Sequence, residues 1–363
     1  MLKTYGIHHI SSIVGQAQRN LDFYASVLGM RLVKQTLNYD DYKTHHLYYS
    51  NTDGTTPLLT TFPFNDSEEI ELSGGQVKTQ VLAIPKGTSG FWKKRLTDFN
   101  IVFDTKEEEI SFKDPDGIRL TLVESEHQSI NPWEFNSIAK EQAIIGIDSA
   151  VLLSGNYEKT YMLLTEILGY ELVDENERVY NFRISDELGG KLSLLKENEI
   201  VGKLDRGTVH HIAFKVKNEE INQWKEHLVK KGYYPTEIKE RNYFRSIYFR
   251  EKGGIIIELA TLGPGVTVDE DVEHLGENLI IPKHYEEEKS EIFENLMPLF
   301  VREISEMQSY GYRNRYEYEL VKKKEKSRAV IQKLIKLKKT RGLTSSEEKQ
   351  LKIEKAKYLR GGK

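Results

Sequence analysis

The sequence predicts an α+β protein built from four copies of one strand–helix–three-strand unit, followed by a helical extension. Three observations predict it. Short motifs recur along the 363 residues: VLGMRLV at Val27–Val33 returns as ILGYELV at Ile167–Val173, and DPDGIRLTL at Asp114–Leu122 is echoed by EKGGIIIEL at Glu251–Leu259. A histidine pair opens two alternating apolar runs, GIHHISSIV at Gly6–Val14 and GTVHHIAFKV at Gly207–Val216. Beyond residue 300 the strand pattern gives way to charged helical periodicity broken at Gly342.

In the first unit Gly6–Val14 alternates and is rich in β-branched residues, so it reads as a strand. Leu21, Tyr24, Val27 and Leu28 then fall at helical spacing, with Gly29 placed to end the helix. Arg31–Tyr39, Leu47–Ser50 and Leu58–Phe62 supply three further strands. The second unit runs from about Gly75 to Ser125 with a helix near Phe91–Phe99, and the third from about Ile144 to Lys196 with a helix at Tyr157–Leu168. The fourth spans Gly207–Thr261, where Ile221, Trp224 and Leu228 share one helix face and Gly232 follows. In the tail, Thr344 or Ser345 is placed to cap the second of two helices.

These motifs, together with AQRNLDFYASVLGMRLVKQTLNYDD, NYFRSIYFREKGGIIIELAT and TVDEDVEHLG, resemble the vicinal oxygen chelate superfamily of glyoxalases, bleomycin-resistance proteins and extradiol dioxygenases. The resemblance covers about residues 5–300 and is nearest to ring-cleaving dioxygenases that act on hydroquinones. It implies that βαβββ modules pair into incomplete barrels with a metal in the concave face. The expected organisation is a first domain at 5–125, a linker at 126–143, a second domain at 144–262, a C-terminal helical segment at 263–300 packing onto the second domain, and a basic helical tail at 301–363.

Strand alternation lets only one histidine of each pair face a cavity, and the neighbouring residues do not decide which. Glu258 lies within the apolar strand GGIIIELAT, where a charge is costly unless it is paired or bound to metal. Taken alone, it reads either as a metal ligand or as a salt-bridge partner of Arg241 or Arg245. Glu258 lies four residues after Gly254; the matching positions after Gly117 and Gly190 are Thr121 and Leu194, and unit three has Asp148–Ser149 in place of the histidine pair. Glu124 falls on the opposite strand face. Units two and three therefore lack ligands, while units one and four together offer two histidines and one carboxylate, the facial set used by non-haem Fe(II) oxygenases. The resemblance carries the metal-ligand roles onto His9, His211 and Glu258. It also implies that Arg241, Tyr248 and His210 stand at the cavity, with Ser11 where related enzymes often have threonine. Ser11 shares strand parity with His9. His8, His45 and His46 read as structural, and His127, His227, His274 and His284 as surface residues.

The expected activity is a non-haem Fe(II)-dependent ring-cleaving dioxygenase that inserts O2 into a hydroquinone- or catechol-type ring to give a ring-opened acid. Mn(II) suits the same ligands. The alternatives within the superfamily are a metal isomerase or thiol transferase, or a non-catalytic resistance protein. With no cysteine, disulfides and thiolate metal sites are excluded. The opening MLKTYGIHH has no signal-peptide pattern and no apolar run approaches the roughly 18 residues of a membrane span, so a cytoplasmic location is expected. The net charge of −4 divides unequally: residues 301–363 carry 19 Lys+Arg against 8 Asp+Glu, about +11, leaving about −15 on the rest. That asymmetry predicts a helical hairpin that packs on the acidic body or on another subunit of a homo-oligomer, ahead of nucleic-acid or membrane-surface binding.

Overall fold

A computed structural model describes residues 2–55, 57–64, 70, 72–127, 131–303 and 319–359. Unit one contains β1 (Ile7–Val14), α1 (Ala17–Leu21), β2 (Arg31–Asn38), β3 (Asp41–Ser50) and β4 (Leu58–Pro63). Unit two contains β5 (Gln76–Pro85), α2 (Ser89–Asp98), β6 (Phe103–Lys106), β7 (Glu109–Lys113) and β8 (Arg119–Ser125). Unit three contains β9 (Gly146–Ser154), α3 (Tyr157–Glu166), β10 (Glu171–Glu175), β11 (Val179–Arg183) and β12 (Lys191–Asn198). Unit four contains β13 (Thr208–Val216), α4 (Ile221–Lys230), β14 (Lys239–Glu240), β15 (Arg245–Arg250) and β16 (Ile256–Thr261). The expected helix of unit one differs in form. Residues Asp22–Val27 widen into a π-type turn after α1, with Leu28 N donating to Phe23 O at 2.9 Å, before Gly29 closes it at φ +68°.

The sheets do not follow chain order. One eight-stranded sheet runs β14-β15-β16-β13-β1-β4-β3-β2, and the other β10-β11-β12-β9-β5-β8-β7-β6. Unit four is thus joined to unit one, and unit three to unit two. The expected stretches 5–125 and 144–262 do not each form a sheet of their own: each sheet takes one unit from each stretch. The cause is the pairing of first strands, β1 with β13 and β5 with β9, both antiparallel. Leu82, Ile84, Ile147, Leu152, Ile10 and Phe214 all belong to one continuous core, so a large shared apolar interior ties the two sheets together.

The segment after β16 leaves unit four, where Gly265 N donates to Tyr243 O at 2.8 Å, through 3-10 turns at Val266–Val268, Val272–His274 and Lys283–Tyr285. Its one α-helix is α5 (Lys289–Asn295), and the segment crosses onto β2 and β3 of unit one. Ile280 N donates to Gln35 O at 2.8 Å, Thr36 Oγ1 to Ile280 O at 2.7 Å, and Met297 O stands 3.0 Å from His45 Nε2. Its anchor is Lys34, which is fully buried on β2. The ammonium reaches Asp269 Oδ1 at 2.5 Å, meets Glu270, and lies 5.1 Å from the centre of the Tyr243 ring. A buried ammonium demands such partners, and these two acids come from the crossing segment.

The tail forms α6 (Glu319–Arg341) and α7 (Ser345–Leu359), separated by Gly342 at φ +78°. Thr344 caps α7: Glu347 N donates to its hydroxyl at 3.4 Å, and Thr344 N donates back to Glu347 Oε2 at 2.9 Å. The hairpin packs on α5, where Lys338 Nζ pairs with Glu294 Oε1 at 2.5 Å. Among the described residues no helix is long and apolar enough to cross a membrane.

Lys34→Ala should destabilise the protein by on the order of 3 kcal/mol in denaturant unfolding, because Glu270 stays buried without its cation. Loss of less than about 1 kcal/mol would mean that the crossing segment does not depend on this ion group.

Candidate metal centre and cavity

Strand register sets the site. His9 on β1 lies opposite Ala213 on β13, Ala213 opposite Glu258 on β16, and Glu258 opposite Tyr248 on β15. These four residues form one row on one face of the sheet. Ala213 occupies the middle with only a methyl group, so the side chains of His9 and Glu258 meet over it. His211 stands two residues before Ala213, on the same face.

Three donor atoms converge. His9 Nε2 and His211 Nε2 lie 3.0 Å apart, and Glu258 Oε2 is 3.0 Å from the first and 2.9 Å from the second. All three residues are buried, and neither carboxylate oxygen of Glu258 accepts a hydrogen bond. Burial favours the neutral acid, but the neighbouring His9 and His211 outweigh it and hold the Glu258 carboxyl well below the usual range. Among the described residues this is the one group of three or more His, Asp or Glu donors gathered closely enough to hold an ion. Two nitrogens and one oxygen suit a divalent transition metal. Cis ligands at about 2.1 Å on an octahedral ion stand about 3.0 Å apart, while tetrahedral ligands stand about 3.4 Å apart. The observed separations match the first, so the residues present fit the metal that the resemblance implies.

Each candidate ligand is steered by its neighbour. His9 Nδ1 lies 2.8 Å from His8 Nδ1, and His211 Nδ1 lies 2.8 Å from His210 Nδ1. With a metal bound between both Nε2 atoms, Nδ1 of His9 and of His211 would carry the proton and donate it. His8 and His210 are the acceptors. Burial, followed by the adjacent imidazole, lowers each to about 3, so both are neutral. The contact depends on two bulges. The β1–β13 register skips His8 between Ile7 and His9, and skips His210 between His211 and Val209. The bulge lets His210 line the same cavity as His211, where the resemblance expects it. His8 turns to the opposite face beside Phe244.

The cavity holds about 340 Å³ above the donors, with Phe62, Phe244, Tyr48, Arg241 and Tyr248 among its walls. The Arg241 guanidinium lies 4.9 Å from the Tyr39 ring centre and 5.4 Å from that of Tyr248, and pairs with Asp40 at 3.7 Å. Arg245 instead donates to Asn218 O at 2.6 Å, so the salt-bridge reading of Glu258 finds no partner in either arginine. Tyr248 packs edge-on to His211 at 5.6 Å, and burial and the Glu258 charge push its phenol well above the ordinary value. Ser11 shares the His9 face but does not line the cavity; its hydroxyl meets Thr60 Oγ1 at 2.6 Å. Glu124 accepts from Gly87 N and Ser89 N at the start of α2, away from the site.

Sequence reasoning missed three residues. Thr60 lies opposite Ser11 as Glu258 lies opposite Ala213, and Tyr48 lies opposite Thr60 as Tyr248 lies opposite Glu258. Units one and four thus repeat one design, with threonine at the carboxylate position of unit one. His46, read as structural, lines the cavity, whereas His45 faces the crossing segment.

Two curled sheets of paired βαβββ units, with a His–His–Glu cluster in one concavity, define the vicinal oxygen chelate class of fold. The sequence profile of the Glyoxalase/Bleomycin resistance protein/Dioxygenase superfamily matches residues 6–122 and 146–259, and the chain belongs to that superfamily. It is 41% identical over 309 residues to a candidate ring-cleaving dioxygenase, MhqO, of Bacillus subtilis (strain 168), covering 83% of this chain and 99% of that protein. It is 31% identical over 311 residues to the chlorohydroquinone/hydroquinone 1,2-dioxygenase of Sphingobium indicum, covering 80% of this chain and 95% of the relative. The crystal structure of a candidate dioxygenase from Bacillus subtilis superposes with a TM-score of 0.79 at 40% identity, covering 84% of this chain and all of the other.

His9→Ala, His211→Ala and Glu258→Ala should each reduce bound metal to near zero by elemental analysis while far-ultraviolet circular dichroism is unchanged. Full metal content in any one variant removes that residue from the set. Glu124→Ala should retain the metal.

Proposed function

We propose that the chain is a non-haem Fe(II)-dependent dioxygenase that opens a hydroquinone- or catechol-type ring with O2. The observation that carries this reading is the convergence of His9, His211 and Glu258 at 2.9–3.0 Å beneath a cavity of aromatic-ring size. Bound by these three side chains, Fe(II) supplies the acidification of a phenol and the redox chemistry that activates O2.

The chain's own residues have separate tasks. Glu258 and two neutral imidazoles give the centre a single protein charge, which leaves room for an anionic substrate. His8 and His210 fix the ligand tautomers from behind. Tyr248 keeps its proton, because burial and Glu258 oppose the phenolate, and so serves as a hydrogen-bond donor to an oxygen that gains charge. Burial opposes the charge of Arg241, but Tyr248, Asp40 and Glu258 outweigh it, and the guanidinium remains a cation beside the ring. Phe62 and Phe244 wall the site with apolar surface and limit water.

An isomerase of the glyoxalase kind is the second reading. It requires a further acid among the ligands, and the position in unit one that corresponds to Glu258 holds Thr60. Three protein ligands support the oxygenase reading, since they leave one face of the ion for substrate and O2.

Purified protein should contain about one iron per chain and consume O2 when methylhydroquinone is added. Absence of O2 uptake by iron-loaded protein across hydroquinones and catechols would overturn the proposal. Tyr248→Phe should lower kcat on the order of 10²-fold with iron content unchanged, since it removes one hydroxyl and keeps the ring. An unaltered kcat at saturating O2 would make Tyr248 a packing residue.

A further inference from the structure

Three linked polar side chains of unit one, His46 in the cavity wall and Thr60 and Ser11 behind it, have no task in this account. The structure assigns His46 as a substrate-positioning residue that holds the oxygen of the ring remote from the metal ligands. This rests on the dioxygenase reading above.

His46 lies on β3 and lines the cavity with its ring between Tyr48 and Phe62, 4.2 Å from the centre of each. Its Nε2 is tied to Thr60 Oγ1 at 3.1 Å, and that hydroxyl is 2.6 Å from Ser11 Oγ. Its Nδ1 has no hydrogen-bond partner among the described residues, and it is not among the buried polar atoms sealed without one, so it remains open to the cavity. The sheet order places β3 on one wing, three strands from β13, and β15 on the other. The open imidazole edge of His46 and the Arg241–Tyr248 pair therefore approach the cavity from opposite wings. A ring whose first oxygen sits beside the Glu258 centre and Tyr248 presents its second oxygen to the remaining polar wall.

The hydroxyl pair behind His46 decides what Nδ1 offers. If Ser11 donates to Thr60 and Thr60 to Nε2, then Nδ1 bears the hydrogen and donates. If both hydroxyls rotate, Nε2 donates to Thr60, Thr60 to Ser11, and Nδ1 accepts. Exchange between the two states moves one proton, lost from Nδ1 to solvent and regained at Nε2, while both hydroxyls turn; the imidazole stays neutral and changes from a partner for a carbonyl to a partner for a hydroxyl. A diol substrate and an oxidised or ring-opened product present those two groups in turn. Ser11 and Thr60 act through His46 as positioning residues, which gives Ser11 a role although it does not line the cavity.

The test is anaerobic calorimetry of the iron-loaded full chain with hydroquinone and with phenol, which lacks the second oxygen. Metal content is measured in every variant. Wild type should favour hydroquinone by tenfold or more. His46→Leu should lose about tenfold of that ratio, mainly through weaker hydroquinone binding, and Thr60→Val part of it. His46→Asn, which places an amide near the Nδ1 position, should restore part of the preference. An unchanged ratio in His46→Leu, or equal loss of both ligands, overturns the assignment. Metal loss in His46→Leu and His46→Asn alike also overturns it, by placing His46 in support of the ion. If wild type binds neither ring, the dioxygenase reading itself has failed.

Discussion

Glu258 is a carboxylate sealed from water and given no hydrogen-bond donor, a state that costs several kcal/mol unless positive charge stands beside it. Much of the architecture around it follows from supplying that charge in one place. The row His9–Ala213–Glu258–Tyr248 needs two units in one sheet, and it needs alanine at its centre. Both bulges serve the same end, since each lets a second imidazole meet the back of a candidate ligand. A conventional strand would send His8 and His210 away and leave both ligand rings free to rotate.

The two units at the centre are related by an approximate twofold arrangement about the β1–β13 pair, and the departures from it concentrate function. Ser11, Thr60 and Tyr48 in unit one stand where Ala213, Glu258 and Tyr248 stand in unit four. One side supplies the anion for the ion, and the other supplies a chain of hydroxyls ending at an imidazole. A symmetric pair of carboxylates would instead fill a fourth ligand position. Units two and three keep the frame and none of the donors: Thr121 there meets Ser111 through hydroxyls at 2.9 Å.

The four units were legible because each rests on local periodicity and on glycines such as Gly29, where a positive φ is required. His9, His211 and Glu258 were legible because a lone acid within GGIIIELAT and a duplicated histidine pair are unusual on apolar strands. That units one and four share a site was legible from the count of ligands; that their first strands pair within one sheet was not, because alternation says which face a residue takes and nothing about which strand becomes its neighbour. The crossing segment misled for a related reason. Nothing in TVDEDVEHLG tells where its acids end up, and only the buried ammonium of Lys34 reveals the destination of Asp269 and Glu270. Parity placed Ser11 on the correct face, but it could not show that Thr60 lies between it and His46. Thr60 and Tyr48 are ordinary strand residues by type, and only register distinguishes them.

The crosswise pairing of units also sets a schedule for biosynthesis. His9 and His211 are separated by 202 residues. At about 5–20 residues per second, β1 leaves the ribosome roughly 10–40 s before β13. Through that interval the first unit carries an unsatisfied strand edge rich in isoleucine and an incomplete set of donors. A metal held by His9, His211 and Glu258 would therefore be captured only by nearly finished chains, since a nascent fragment lacks the full set of donors.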